Sequence, residues 1–304
     1  MRMTLNLQNI IPRFSFEEAA RLTFEAGFDA SDYYLGSMID PDCEFNGPQW
    51  RSIAEQCGSI FQNSNVPIIQ THAPFSFKGW DDRATYENFI YPTIVQSIKV
   101  SAIMGAQYVV VHPLHYWRYA GNEHEIYEKN MSFYRSLIPI AKDYGIKICI
   151  ENMFQRDKTR GNYIIHDTCS RPEEFCRYID TLNSEYIVAC LDIGHIGLPS
   201  GNVDPWEFIK ILGHDRIQAL HIHDNDFTND QHYIPYAGLI EWDKVTQALG
   251  QIDYSGDFTF ECLIKGMFKR LAVAQYPSLL RLIAETGRYL MAQIDNNRPH
   301  ADKA

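Results

Sequence analysis

The stretch Ile217–His232 reads IQALHIHDNDFTNDQH and joins an apolar segment to a run of metal-ligating residue types. The apolar segment, Ile217–Leu220, has the length and composition of a buried strand. It is followed by His221, His223, Asp224 and Asp226, and Asp230 and His232 come in the next loop. Imidazole nitrogens and carboxylate oxygens at the end of a buried strand are typical ligands of divalent cations. The stretch therefore predicts a metal site at the end of a strand.

Short apolar segments alternate with amphipathic ones along all 304 residues. Eight segments read as strands, which are Thr4–Leu7, Phe28–Tyr34, Val66–Gln70, Tyr108–Val111, Lys147–Ile150, Tyr186–Leu191, Ile217–Leu220 and Asp257–Phe260. Eight segments read as helices, which are Ser15–Ala26, Gln49–Gln62, Asp82–Met104 with a possible break at Pro92, Glu123–Tyr144, Arg171–Thr181, Asp204–Leu212, Glu241–Ile252 and Tyr276–Gln293.

Strict alternation of strands and helices indicates βαβ units and a parallel sheet. Eight such units match a closed (β/α)₈ barrel, which needs ~250 residues. An open doubly wound sheet is the alternative, but no Gly-rich phosphate-binding sequence follows the first strand. We therefore predict an α/β protein with a single (β/α)₈ TIM barrel domain over residues 1–304.

Charge and composition limit the partners. The chain has 27 Lys and Arg against 38 Asp and Glu, a formal net charge of −11, and no block rich in basic residues. This balance argues against a nucleic-acid partner, although a bound metal cluster would add local positive charge. No long apolar run indicates a membrane span or a signal peptide. The 7 cysteines include no CxxC pair, which is typical of reduced thiols in a cytoplasmic protein.

Metal-ligating residue types end six successive strands, where a barrel carries its active site. They are His72, His112, Glu151, Asp192, His221 and Glu261, at successive separations of 40, 39, 41, 29 and 40 residues. One such residue is more often a core or solvated side chain, but six in succession are hard to obtain by chance. The pattern therefore favours a metal site over a purely structural role.

Glu151 and Glu261 follow the apolar sequences ICI and FTF. A carboxylate that emerges from a buried strand costs desolvation energy unless it is paired or binds a cation. Together with Asp192 and His221, these two residues come from strands five to eight, which are neighbours in a barrel. The four side chains can therefore converge on one cation. Three carboxylates and one imidazole favour Mn²⁺, Mg²⁺, Co²⁺ or Zn²⁺ over a soft metal.

The constellation resembles the xylose-isomerase-like barrel superfamily, which includes sugar isomerases and epimerases and the endonuclease IV family. The resemblance extends from Leu5 to Glu261. The motifs that carry it are THAPF with His72, VVVHP with His112, ICIEN with Glu151, LDIGH with Asp192 and His195, LHIHDND with His221, the Asp230-Gln231-His232 triplet, GLIEW at 238–242 and FTFEC with Glu261.

By resemblance to the ketose 3-epimerases, Glu151, Asp192, His221 and Glu261 would hold one divalent metal, with no organic cofactor. Glu151 and Glu261 would also act as acid and base on a small sugar, sugar phosphate or polyol-derived ketone, through an enediolate. Asp157 stands where those enzymes carry a Glu that contacts substrate. The chain departs from them at Phe227, where they carry an Arg.

By resemblance to endonuclease IV, the chain would instead hold three zinc ions and hydrolyse phosphodiesters. It offers a suitable residue at each of the nine ligand positions, which are His72, His112, Glu151, Asp192, His195, His221, Asp230, His232 and Glu261. The net charge and the absence of a basic loop for a DNA backbone argue against this alternative. The isomerase or epimerase is therefore the favoured prediction, with His72, His112, His195, Asp230 and His232 binding substrate or further metal.

Further alternatives stay open. A non-catalytic barrel that binds a sugar or a protein is a third hypothesis, and the intact Glu151 and Glu261 argue against it. Barrels of this type often pair, so the chain could form a homo-oligomer. Lys158 and Arg160 could meet a phosphate. Six aromatic residues after strands three and four could line the pocket or pack as core, and they are Phe75, Phe77, Trp80, Tyr116, Trp117 and Tyr119.

Overall fold

The computed structural model describes residues 1–115, 117–198, 203–262 and 270–299, in which eight parallel strands form one sheet. The strands of this sheet are β1 Met3–Asn6, β2 Ala30–Tyr34, β3 Ile68–His72, β4 Tyr108–Val110, β5 Lys147–Glu151, β8 Ile187–Asp192, β9 Ile217–His221 and β10 Phe258–Phe260. Two further strands, β6 Phe154–Asp157 and β7 Tyr163–His166, form a separate antiparallel hairpin. The sheet order is β10-β1-β2-β3-β4-β5-β8-β9. Beyond β9, a parallel bridge joins Ile222 to Phe260, so the edge strands meet. The predicted (β/α)₈ barrel is confirmed.

Helices follow the barrel strands and pack around them. They are α1 Phe16–Ala26, α2 Trp50–Asn63, α3 Arg83–Thr85, α4 Tyr91–Met104, α5 Glu123–Tyr144, α6 Pro172–Leu182, α7 Ile193–Ile196, α8 Pro205–Arg216, α9 Trp242–Gln251 and α10 Tyr276–Asn296. Helix α1 shows how local sequence sets these elements. Ser15 and Glu18 form a reciprocal capping box, and Ala19, Leu22 and Ala26 form the buried stripe. No described helix combines the length and apolar character needed to cross a membrane.

The segment predicted as one helix over Asp82–Met104 is irregular, but the irregularity precedes Pro92. A π-helical turn covers Tyr86–Ile90, and α4 begins at Tyr91 with the proline in its first turn. A proline has no N–H to donate and its ring crowds the preceding turn. The wider π-helical turn just before Pro92 accommodates the missing hydrogen bond, so the helix continues through the proline.

The hairpin of β6 and β7 was not predicted from the sequence. Its two strands are only four residues long, and their polar and apolar residues do not alternate cleanly. The turn between them carries left-handed backbone at Gly161 and Asn162, with φ of 64° and 62°. Gly and Asn are the residues that tolerate this conformation, so Gly161-Asn162 was the available signal.

Side chains along β5, β8 and β9 point alternately outward, towards the helices, and inward, towards the barrel interior, so they contribute to two separate apolar layers. Outward-facing residues join the large core between sheet and helices. Inward-facing Val110, Cys149, Val188, Cys190 and Ala219 form a small cluster inside the barrel. Glu151, Asp192 and His221 each stand two residues further along the same strands than Cys149, Cys190 and Ala219. Their side chains therefore face the same interior.

Helices α2 and α4 approach closely at Gly58, and this contact yields a test of the packing. A Cβ at Gly58 would lie 2.5 Å from the backbone oxygen of Met104. Ala is favoured over Gly within a helix by ~1 kcal/mol, but overpacking against backbone costs about 1–3 kcal/mol. We expect Gly58→Ala to lower the free energy of unfolding, measured by urea denaturation.

The matched control for Gly58→Ala is Ser59→Ala, on the exposed side of the same helix. This variant gains helix propensity without a new contact and should be neutral or slightly stabilising. A Gly58→Ala midpoint at or above that of the wild type would contradict the close approach.

Candidate active site and metal centre

The ends of β5, β8, β9 and β10 bring four predicted ligands together. Asp192 and His221 are direct partners in the β8–β9 ladder, and Glu151 pairs with Cys190 in the neighbouring ladder. Glu261 follows β10, and its backbone N–H donates to Ile222 across the closure of the barrel. The register of the strands therefore places these four side chains at the same end of the barrel.

His221 lies at the centre of this group, which we call the central group (Glu151, Asp192, His221 and Glu261). Its Nδ1 atom lies 3.0 Å from Glu261 Oε2, 3.3 Å from Glu151 Oε1 and 3.9 Å from Asp192 Oδ2. One ligand atom from each of the four residues lies within 4.8 Å of all the others, and all four residues are buried. Three oxygens and one nitrogen at this spacing fit a divalent cation.

The charges in the central group are strongly coupled. Burial would lower the pKa of His221, but the adjoining Cys190, Glu261 and Glu151 raise it well above its ordinary value. Burial would raise the pKa of Glu261, but His221 outweighs this and lowers it to about 2. Glu151, whose pKa is also lowered, and Glu261 are therefore anions at neutral pH in the metal-free protein, and the His221 imidazolium provides their positive partner.

A second group shares Glu151 with the first. The Nε2 atom of His112 lies 2.9 Å from Glu151 Oε2, and the Nε2 atom of His72 lies 3.5 Å from the same oxygen. The two imidazole nitrogens are only 3.1 Å apart. Burial lowers the pKa of His112 to about 4, so this ring is neutral at neutral pH and can offer a lone pair.

A third group lies on the other side of Asp192. His232 Nε2 is 2.9 Å from Asp230 Oδ2, and His195 Nε2 is 3.8 Å from Asp230 Oδ1. His223 Nε2 lies 3.0 Å from Asp192 Oδ1, and its ring stacks on His232 at 4.0 Å. Burial would lower the pKa of His232, but Asp230 raises it to about 9.

Three of these histidines are oriented by backbone carbonyls. The Nδ1 atom of His72 lies 2.8 Å from the backbone oxygen of Ala73. The corresponding distances are also 2.8 Å from His195 Nδ1 to the oxygen of Asn152 and from His232 Nδ1 to the oxygen of Glu261. A carbonyl can only accept, so each Nδ1 carries a proton and donates it. The Nε2 atom of each ring is thereby left to face the site. Metal-binding histidines commonly use this arrangement.

The structure brings together all nine residues singled out from the sequence. It also places His223 among them, with its ring packed against Gly194, where it leaves no room for a Cβ. His223 stands two residues after His221, so both side chains lie on one face of an extended chain. The sequence indicated His223 as a ligand-type residue at the end of this strand but did not include it in the predicted metal or substrate-binding set.

A row of polar residues behind His221 was missed as well. Asn6, Asp32 and Gln70 are successive partners across β1, β2 and β3. Gln70 Nε2 lies 3.1 Å from His221 Nε2, and Asn6 donates to Asp32 Oδ2 at 2.7 Å. All three side chains are buried. Polar residues that face inward on the first three strands were the available signal.

Asp224 fixes the loop that carries Asp230 and His232. Its carboxylate accepts hydrogen bonds from the backbone N–H groups of Tyr236, Gly238 and Ile240 and from the indole of Trp242. The GLIEW motif is therefore part of the support of the loop, since its backbone and its Trp close around one buried carboxylate.

A cavity of about 820 Å³ opens above the three groups. Of the aromatic residues considered, Phe75 lines this cavity, Phe77 and Tyr119 are buried in the protein, and Trp80 and Trp117 line a separate pocket. Tyr116 lies outside the described residues. Asp157 and Lys158 line the cavity. Arg160, beside them in the chain, is absent from its described lining.

Comparison with known proteins agrees with this architecture. Protein MJ1311 of Methanocaldococcus jannaschii is 32% identical to this chain over 201 residues. The matched region covers 64% of this chain and 64% of MJ1311, which is just under two thirds of the length of that relative. A crystal structure of the IolI protein with a zinc atom superposes with a TM-score of 0.75 at 19% identity, over 97% of this chain and 99% of the other. A D-psicose 3-epimerase crystallised in the presence of D-fructose gives 0.73 at 13% identity, over 96% and 99%.

At these identities, the solved structures show a shared fold. The sequence model of a family described as the xylose isomerase-like TIM barrel matches residues 18–283, which is most of the chain. The chain therefore belongs to the xylose isomerase-like TIM barrel family.

Proposed function

We propose that this single-domain barrel is a divalent-metal-dependent isomerase or epimerase of a small sugar-like substrate. The observation that carries the proposal is the central group, in which His221 Nδ1 faces the carboxylates of Glu151, Asp192 and Glu261 at 3.0–3.9 Å. The donor set suits Mn²⁺, Mg²⁺, Co²⁺ or Zn²⁺. The shared fold with the zinc-bound IolI protein and with a D-psicose 3-epimerase supports the metal and the substrate class. All seven cysteines are free, which supports a cytoplasmic location.

The proposed reaction moves a proton at a carbon beside a carbonyl. When bound to the central group, the cation supplies stabilisation of negative charge on substrate oxygens. Glu151 and Glu261 both line the cavity, and the pKa of each is lowered in the metal-free protein. In the reaction one glutamate acts as a carboxylate and removes the proton, while the other enters protonated and gives its own proton to the opposite face, which yields the epimer and exchanges the protonation states of the two glutamates. Return of the proton to the adjacent carbon by the same carboxylate gives an isomer.

The surrounding histidines bind substrate hydroxyls in this proposal. His72, His195 and His232 each present Nε2 towards the site, because Nδ1 is held by a carbonyl. Burial keeps these rings away from bulk water, which strengthens a hydrogen bond to a sugar hydroxyl. A sugar of a few carbons fits the cavity of about 820 Å³.

A second candidate function is a multi-zinc phosphodiesterase. It is favoured by one observation, namely that the second and third groups could each hold a further cation beside the central group. Ligand atoms of His72, His112 and Glu151 lie within 4.8 Å of one another, as do those of His223, Asp230 and His232. The two candidates differ in metal stoichiometry and in substrate.

The metal content of the purified protein separates the two candidates. Elemental analysis without added metal should give about one Mn, Mg, Co or Zn per chain for the isomerase or epimerase. Two or three zinc ions per chain would favour the phosphodiesterase, since the second and third groups would then be occupied. Absence of metal after reconstitution would contradict both functions.

Metal affinity should rise with pH. The raised pKa of His221 means that the ring is protonated in the metal-free protein at neutral pH, so a cation must displace a proton to bind. We expect the dissociation constant to fall by up to about tenfold per pH unit as the pH rises from 6 towards 8. Calorimetric titration in two buffers of different ionisation enthalpy would measure the proton released. Binding without proton release would exclude His221 as the ligand.

The two proposed acid–base residues can be tested by isosteric substitution. Glu151→Gln and Glu261→Gln should each lower deuterium exchange beside the carbonyl of a converted ketose by about 10²- to 10⁴-fold, because a neutral amide cannot accept the proton. Exchange would be followed by NMR in D₂O. Glu241→Gln is the matched control, since this glutamate is exposed and pairs with Lys244. Full turnover and unchanged metal affinity in Glu261→Gln would contradict the proposal.

A further inference from the structure

The wall of the cavity differs in charge from its floor. The floor carries the acids Glu151, Glu261 and Asp230, whereas the wall carries the exposed Arg118, Arg156 and Lys158. We call these three residues the cationic wall. Outside the three candidate metal groups, Asp157 is the one carboxylate among the described residues that line the cavity. Such a grouping stands out in a chain with a formal net charge of −11.

The carboxylate of Asp157 is directed to its own turn. Its Oδ1 atom accepts hydrogen bonds from the Thr159 hydroxyl at 2.6 Å and from the Thr159 N–H at 2.9 Å. These bonds lower the pKa of Asp157, and the charges of Arg160 and Arg118 lower it further. Asp157 therefore shapes the hairpin turn and leaves the cationic wall with a net positive charge.

The hairpin of β6 and β7 fixes one cation above the site. Phe154 and Arg156 lie on the same face of β6, because side chains alternate along a strand. The Phe154 ring packs edge-on against His195 at 5.0 Å. The Arg156 guanidinium lies over the Phe154 ring at 5.6 Å and donates to Asn229 Oδ1 at 3.0 Å.

This packing sets the separation between the floor and the wall. Phe154 touches His195 of the third group, and Arg156 stands two residues further along the strand, which is about 7 Å. A sugar whose reacting carbon lies at the central group would therefore extend its far end towards Arg156. The cavity allows this span, since both ends line the same space.

Among the described residues, no carboxylate lies within 4.0 Å of the charged groups of the wall, although Arg118 acts on Asp157 at longer range. Arg118, Arg156 and Lys158 form no ion pair there, whereas Arg160, on the same turn, pairs with Asp157 Oδ2 at 3.8 Å. A guanidinium presents a planar fork of donors that matches phosphoryl and carboxylate oxygens. The wall therefore has the chemistry of an anion-binding surface beside a site for a polyol.

We propose that Arg118, Arg156 and Lys158 form a subsite for an anionic group, phosphoryl or carboxylate, at the end of the substrate remote from the reacting carbon. The inference rests on the proposed function, because it names the substrate class of the same cavity. The substrate is then an acidic sugar and not a neutral one.

The subsite is tested first with inorganic phosphate on the full-length protein as purified, because any phosphate that binds a resident cation is common to the wild type and the variants. Titration should show saturable binding to the wild type. Arg156→Gln should weaken it at least tenfold, roughly the loss of a charge-assisted hydrogen bond. Arg160→Gln is the matched control, because it removes the same charge from the same turn away from the described cavity lining.

Two results would overturn the subsite. One is equal phosphate binding by the wild type and Arg156→Gln, and the other is an equal loss in Arg160→Gln. Lys158→Gln, at an exposed position of the turn, provides a second variant with the same expected loss if Arg156→Gln does not fold. Far-ultraviolet circular dichroism checks the fold of each variant.

The source of the anion is resolved by comparing ligands with one carbon skeleton. A sugar phosphate or a sugar carboxylate should bind more tightly than the neutral sugar, and Arg156→Gln should abolish the difference. Equal binding of the neutral sugar would overturn the proposal, as would tighter binding of a phosphodiester oligonucleotide. Metal content and deuterium exchange are measured separately, so loss of the subsite leaves the proposed reaction standing, and the reverse also holds.

Discussion

The burial of several carboxylates at one end of the barrel is the constraint on which the rest of the site depends. Glu151, Asp192, Asp230 and Glu261 lie in one connected cluster, where isolated charges would be too costly to desolvate. Imidazole rings offset this cost. His221 faces three of the carboxylates, and His232 pairs with Asp230. Removal of one ring would leave an uncompensated charge in the interior.

The barrel backbone holds this arrangement with few degrees of freedom. The Nδ1 atoms of His72, His195 and His232 donate to the backbone carbonyls of Ala73, Asn152 and Glu261, which belong to or adjoin the residues of the three groups. Behind His221, the row that contains Asp32 and Gln70 crosses neighbouring strands in register. Side chains that are oriented by backbone atoms lose little entropy when a ligand binds. The same contacts that make the charges tolerable therefore also prepare the site.

The barrel and its strand-end residues were predictable because both follow from regular repetition. Each βα unit places one residue at the end of a strand, so Glu151 and Glu261 could be recognised from separation and from the apolar sequence before them. The contacts of His223 and Asp32 were harder to assign. They depend on which residues face each other across neighbouring strands, and that register is fixed only when the barrel closes. The hairpin of β6 and β7 was missed because its stability comes from contacts with the barrel mouth, such as that of Phe154 with His195.

The opposite charges of floor and wall have a consequence for the order of binding. Without a cation, the acids of the central group would repel an acidic sugar, even though Arg156 attracts its far end. A bound divalent cation would cancel that repulsion across a cavity of low effective dielectric constant, where unscreened charges act over several ångströms. Metal and acidic substrate would therefore bind with positive coupling, which by linkage works in both directions. The hairpin would contribute to this coupling because the Phe154 ring packs against both Arg156 and His195, and so links the cationic wall to the third group.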